Sequence, residues 1–261
     1  MKTKYPILLV HGAGVRDFLF FRSFGKIDRI LRIQNYTVYK SGIDGFGTIE
    51  NNAAQLKEEI ENILKKEGAE KVNIIAHSKG GLDSKYMIDS LGMADRVASL
   101  TTLATPHRGS PIASFILKAP KWILKIYAFF IDLAFRTAGD EAPDCFTVCE
   151  QLKRIDSAPP EKTFFSDRVY CQSFSSAVRK GEKGNDFVMS IPLMFSRLIE
   201  KDAVTDGLVP KDSAIFGEYR GEIGGSVSHT EIIDFMVADS KKDKIYSFWS
   251  ALCEELVNMG F

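Results

Sequence analysis

The sequence predicts an α/β fold, a mostly parallel central sheet with helices on both faces. Short uninterrupted apolar runs, Ile7-Leu8-Leu9-Val10 and Val72 to Ala76, are what strands covered on both faces require. Between them, Ile49, Ala53, Leu56, Ile60, Ile63 and Leu64 recur at helical spacing, one apolar stripe of an amphipathic helix. Strands and helices then alternate, as βαβ units do.

In chain order, Ile7–Val10 is the first strand and Thr37 to Lys40, β-branched at its start, the second. The helix that follows has Thr48 placed to cap its start and Gly68 to end it. Val72 to Ala76 is the next strand, followed by a helix from Lys79 to Leu91 that stops near Gly92. Val97 to Ala104 and Arg168 to Ser173 are strand-like, and Lys241 to Val257 closes the chain as a helix. The alternation breaks between Ser110 and Asp167. There Trp122, Ile123, Leu124, Ile126, Tyr127, Phe129, Phe130, Ile131, Leu133 and Phe135 cluster. A long insertion into a compact α/β domain is usually functional. The expectation is one domain over 1–261, with a helical lid inserted at about 110–167. A second apolar segment runs from Phe187 to Ile199.

Composition narrows the function classes. With 34 basic and 34 acidic residues the net charge is zero, so no global field draws the chain to nucleic acid or to an anionic membrane surface. The longest apolar region, Lys118 to Arg136, is interrupted by Lys121, Lys125 and Asp132 and is too broken for a membrane span. The N-terminus enters a strand at once, without the apolar run of a secretory signal, and the expectation is a cytoplasmic protein. Cys145, Cys149, Cys171 and Cys253 lack metal-ligand spacing and read as free thiols, although Cys145 and Cys149 can share a helix face.

The residues that carry chemistry centre on Ile74-Ile75-Ala76-His77-Ser78-Lys79-Gly80-Gly81. Strand, sharp turn and helix form a nucleophile elbow, normally G-x-S-x-G. The turn is so tight that residues two before and two after the serine must be small; Ala76 and Gly80 satisfy this. Taken alone, Ser78 equally fits a plain helix N-cap. Gly12-Ala13-Gly14 begins a G-x-G, but Asp17 stands where a dinucleotide fingerprint needs its third glycine. A seryl nucleophile needs a histidine base. In chain order the acid lies between serine and base, and of the four histidines only His229 leaves room for it. His77 points away from its neighbour, and His107 lies just past a strand. Asp206, in Val204-Thr205-Asp206-Gly207-Leu208-Val209-Pro210, is the first candidate acid, with Asp202 and Asp212 competing. Asp-Gly is also an ordinary turn.

Four segments occur in order: Tyr5-Pro6 with Val10-His11-Gly12, Val72-Asn73 with His77-Ser78 and Gly80-Gly81, Thr105-Pro106-His107-Arg108-Gly109-Ser110, and Asp206-Gly207-Leu208-Val209-Pro210. Together they resemble the bacterial triacylglycerol lipases of the α/β-hydrolase superfamily, strongly to about Pro111 and again from Thr205 to His229. The resemblance implies an α/β-hydrolase fold and a Ser78–Asp206–His229 triad, with the backbone N–H groups of Ala13 and Lys79 as oxyanion donors. It implies a serine carboxylic-ester hydrolase acting on acylglycerol-type or other apolar acyl esters, with no organic cofactor. A thioesterase or acyltransferase with the same triad, and a non-catalytic lipid-binding protein of the same fold, are the alternatives. Many such lipases hold a calcium ion near the histidine. Here Asp186 and Glu231 occupy plausible positions, but Phe235 replaces a polar ligand, so no metal is expected. Phe18, Phe21, Phe129 and Phe130 are the expected acyl-binding residues. The lid's apolar face would cover Ser78 in water and turn outward in transient contact with lipid.

Overall fold

The computed structural model describes residues 2–17, 22–155, 167–179, 187–199, 201 and 204–261. The elements are β1 (Ile7–Val10), α1 (Ile27–Ile33), β2 (Val38–Lys40), α2 (Ile49–Glu67), β3 (Val72–His77), α3 (Lys79–Ser90), β4 (Val97–Leu103), α4 (Pro111–Ile116), α5 (Lys121–Thr137), α6 (Cys145–Gln151), β5 (Tyr170–Ser175), α7 (Phe187–Ile199), β6 (Glu218–Glu222) and α8 (Asp239–Asn258). The six strands form one sheet in the order β2-β1-β3-β4-β5-β6, with every neighbouring pair parallel.

Strand alternation divides the core. Leu8, Val10, Ile74 and Ala76 face one side and pack with Ala53, Leu56, Ile60 and Ile63 of α2 and Met87 and Ile88 of α3. Ile7, Leu9 and Ile75 face the other side, toward Ile27 and Leu31 of α1 and Ile245, Trp249, Leu252 and Leu256 of α8. This two-sided burial is why β1 is apolar at every position and β3 at all but Asn73 and His77. Thr48 caps α2 by accepting from the Asn51 N–H, and Gly68 ends it in the left-handed conformation. The pairing Leu9↔Ile75 and Val10↔Ala76 brings the carboxyl ends of β1 and β3 level, so the loops leaving them are neighbours. Ligands of such sheets bind at that edge.

The region from Ser110 to Lys153 folds as three helices, α4 to α6. The C-terminal half of α5 is fastened by a ring contact and by hydrogen bonds. Phe135 stacks edge-on against Phe46 at 4.6 Å. Asp132 accepts from the Cys145 N–H at 2.7 Å, and Asp140, just past the helix, accepts from Arg16 at 2.7 Å. Among the described residues no helix is long and apolar enough to cross a membrane.

Candidate active site

The turn between β3 and α3 is strained. Ser78 has φ +53° and ψ −133°, a conformation that an L-residue adopts only when its surroundings enforce it. It stands where an N-cap would, yet its side chain makes no capping bond. The plain-cap reading of Ser78 therefore fails, and its hydroxyl is left to the cavity it lines. The backbone is held by the Ser78 N–H, which donates to Leu103 O at 3.0 Å. Small residues around it are a steric necessity. A Cβ on Gly12 would lie 2.5 Å from Ser78 Cβ, and one on Gly80 would strike the His11 carbonyl.

Asp206 and His229 meet. The His229 Nδ1–H donates to Asp206 Oδ2 at 2.8 Å, with both residues buried. A carboxylate can only accept, so this bond sets the tautomer and leaves Nε2 as the basic nitrogen. The other sites of Asp206 are also filled. Ser176 Oγ donates to Oδ2 at 3.2 Å, and the N–H groups of Leu208 and Val209 donate to Oδ1 at 3.0 and 2.8 Å. Those two N–H groups belong to the Asp-Gly turn, so the turn and the candidate acid are one device. Of the competing acids, Asp212 pairs with Arg154 at 2.5 Å on the exposed side; Asp202 lies outside the described residues.

His77 does not simply point away. Its Nε2–H donates to the His229 carbonyl at 3.0 Å, and the two rings lie 4.5 Å apart. Burial, with the neighbouring His229, holds the His77 pKa well below the usual imidazole range, so it remains a neutral donor. The His229 N–H in turn donates to Asp206 O at 3.1 Å, so both backbone groups of His229 are fixed. Sequence reasoning missed this grip, because nothing local links residues 77 and 229. His107 is spent elsewhere, stacked on Phe216 at 4.4 Å and bonded to Thr102 Oγ1 at 3.2 Å.

Ala13 lines the cavity, and the next residue is fixed by its N–H donating to Gly45 O at 2.9 Å. Lys79 is the first residue of α3, whose N–H has no acceptor within the helix. Its buried ammonium pairs with Asp83 at 2.7 Å, and Asn52 Nδ2 donates to the other Asp83 oxygen at 3.0 Å. The lysine charge is thus spent inside the fold. Even so, burial pushes the Asp83 carboxyl up to about 6.

The cavity holding Ser78 and His229 has a volume of about 670 Å³. Its walls are mostly apolar, with Ile112 and Ile116 from α4, Ala134 and Phe135 from α5, Ala138 just past it, and Leu208. Phe129 and Phe130 do not line it. They stand 63% and 62% exposed on the outer face of α5 with Trp122 and Tyr127, because Phe135 and Ala128 take the inward positions. The apolar face of α5 thus points outward rather than over Ser78. Phe18 and Phe21 lie outside the described residues.

At the position suggested for a calcium ligand, Glu231 is already engaged by a lysine. Glu231 Oε1 and Oε2 both accept from Lys241 Nζ, at 3.0 and 2.9 Å, and Oε2 also accepts from the Ser228 N–H at 2.8 Å. Phe235 lines the cavity, and Asp186 lies outside the described residues. A carboxylate already holding an ammonium does not fit a divalent ion.

Known proteins resemble this chain in sequence and in fold. The family profile described as "Putative serine esterase (DUF676)" matches residues 31–133. Triacylglycerol lipase 2 of Saccharomyces cerevisiae is 31% identical over 232 residues, 86% of this chain and 64% of the yeast protein. A triacylglycerol lipase of Pseudarthrobacter phenanthrenivorans is 38% identical over 119 residues, 44% of this chain and 37% of that protein. The chain thus spans less than two thirds of the length of the curated relatives it matches. The crystal structure of Staphylococcus hyicus lipase superposes with a TM-score of 0.70 at 15% identity, covering 98% of this chain and 96% of that one. The chain shares the fold of these lipase structures, and its sequence is similar to those of triacylglycerol lipases.

Proposed function

We propose that the protein is a serine carboxylic-ester hydrolase acting on apolar acyl esters of the acylglycerol type. The observation that carries this reading is the buried Asp206–His229 pair opening onto the same apolar cavity as the strained Ser78. His229 Nε2 takes the Ser78 proton as Oγ attacks the ester carbonyl, and Asp206 holds the ring and stabilises the imidazolium. The N–H groups of Ala13 and Lys79 receive the developing oxyanion. The imidazolium then protonates the departing alcohol. Water, deprotonated by the same histidine, releases the acid from the acyl-enzyme.

The chain is one α/β-hydrolase domain in this reading, with residues 110–167 as its cap. The exposed aromatic face of α5, beside a cavity lined by the same helix, supports transient contact with a lipid surface. The test is hydrolysis of a chromogenic medium-chain ester by Ser78→Ala. Turnover should fall by on the order of 10⁶ while the fold persists. Activity within tenfold of wild type in a folded variant overturns the assignment. Release to an added alcohol or thiol in preference to water would mark an acyltransferase.

A further inference from the structure

The hydrolase reading leaves one charged group at the cavity without a role. Among the described residues lining it, only Arg16 and Arg22 carry a formal charge, and none is a carboxylate. Arg16 is neutralised within the fold by Asp140 at 2.7 Å and Asp44 at 3.4 Å, both buried. Arg22 differs: it is exposed, and among the described residues its guanidinium meets no carboxylate and makes no hydrogen bond. Its backbone is nevertheless fixed. The N–H and hydroxyl of Ser23 both donate to Asp17 Oδ1 at 2.7 Å, and the Gly25 N–H donates to Arg22 O at 3.3 Å.

The position of this turn gives the charge a meaning. The Lys26 N–H donates to Asp234 Oδ2 at 2.8 Å, which seats residues 22–26 against the loop that follows His229. In acyl transfer the alcohol leaves on the histidine side, because it takes its proton from the imidazolium. The acyl chain is left to the apolar walls made by Ile112, Ile116 and Phe135. Arg22, an exposed residue of the cavity lining, is therefore placed on the side of the alcohol portion, and among the described residues no carboxylate meets it there. Its planar fork matches phosphate oxygens in two parallel charge-assisted bonds. Lys118, Lys121 and Lys125 stand exposed along the α4–α5 arm, while Asp132 of that arm is already engaged by the Cys145 N–H.

We propose that Arg22 makes this cavity select acyl esters whose alcohol portion bears a phosphate, the class of acylglycerol phosphates, over neutral acylglycerols. The proposal rests on the hydrolase reading above and narrows its substrate class. Hydrolysis then yields a fatty acid and the phosphate-bearing alcohol, the water supplying the hydroxyl of one and the proton of the other.

The experiment compares kcat/KM for a monoacylglycerol phosphate and a monoacylglycerol with the same medium-length acyl chain, both kept monomeric. It uses wild type, Arg22→Gln and Arg22→Lys at low and high salt. The expected ratio favours the phosphate ester by about tenfold or more in wild type, falls toward one in Arg22→Gln, is partly kept in Arg22→Lys, and narrows with salt. A wild-type ratio near one, or a ratio unchanged in Arg22→Gln, overturns the role of Arg22 while leaving the hydrolase intact. Equal loss on both esters in Arg22→Gln also overturns it. If wild type cleaves neither ester nor the chromogenic one, the hydrolase reading itself fails.

Discussion

Gly12→Ala tests the steric logic of the site without touching any reacting group. Gly12 does not need glycine's conformational freedom, since its φ is outside the positive range, so the added methyl acts through space alone. That methyl would lie 2.5 Å from Ser78 Cβ, 3.0 Å from Ser78 Oγ and 3.2 Å from the His77 carbonyl. Ordinary contact begins near 3.4 Å, so the two strand ends must separate by about 1 Å. Ser78 cannot yield alone, because its N–H is held by Leu103 O and α3 starts at the next residue. Overpacking of this kind costs about 1–3 kcal/mol. For a chain of this length that lowers the melting temperature by roughly 2–12 °C. Displacing a nucleophile by about 1 Å costs about 100-fold in turnover. The assay pairs kcat on a soluble chromogenic ester with the rate of covalent labelling by a serine-directed phosphonate. Both should fall together while circular dichroism stays native. Turnover within threefold of wild type, with labelling unchanged, would refute the steric account of the elbow.

Asp206→Asn should lower kcat by on the order of 10⁴, because the amide favours the wrong imidazole tautomer. Asp212→Asn and Asp202→Asn should stay within threefold on the same ester, and a comparable loss at either would move the acid. Stability should fall as pH drops below about 6.5, the ordinary imidazole value. Burial depresses His11, His77 and His107, the last to about 3, so His77 and His107 are neutral when folded and take up a proton on unfolding. Asp83, raised to about 6, works in the opposite sense over this range. Two protons gained and one lost leave about one, a slope on the order of 1 kcal/mol per pH unit near pH 5, readable by urea titration at pH 7, 6 and 5. A chelator should leave both activity and melting temperature in place. Lys241→Ala, which strands the buried Glu231 carboxylate, should destabilise by about 3–5 kcal/mol in the same titration.

The parts legible in the sequence were those set by local constraint. β1 and β3 announce themselves because both faces are covered, and Ser78 because its turn excludes side chains at neighbouring positions. β6 was invisible. Glu-Tyr-Arg-Gly-Glu is an edge strand, paired on one side only, and carries no apolar run to detect. α1 is seven residues long and begins after Lys26, which makes no capping side-chain bond, so it too lacks a signal. In the site, the Asp-Gly turn could be found, but Ser176 and the His77 grip on the His229 carbonyl could not. Those bonds join residues 30 and 152 positions apart, and only the sheet order brings them together.

The cap shows the same limit in reverse. Residues 118–136 read as amphipathic, and α5 is so, but periodicity cannot say which way an apolar face turns. The deciding groups are small or lie outside the helix. Ala134 and Ala138 let it approach the cavity, Gly45 leaves room for the Phe135 ring, and Arg16 reaches across to Asp140. These fasten the C-terminal half of α5 and leave Trp122, Tyr127, Phe129 and Phe130 facing out. An expectation based on hydrophobicity alone sends the largest side chains inward, over Ser78. The structure instead fills the inward positions with the residues that fit the available space. The aromatic face is thereby left exposed on a helix whose C-terminal half lines the cavity.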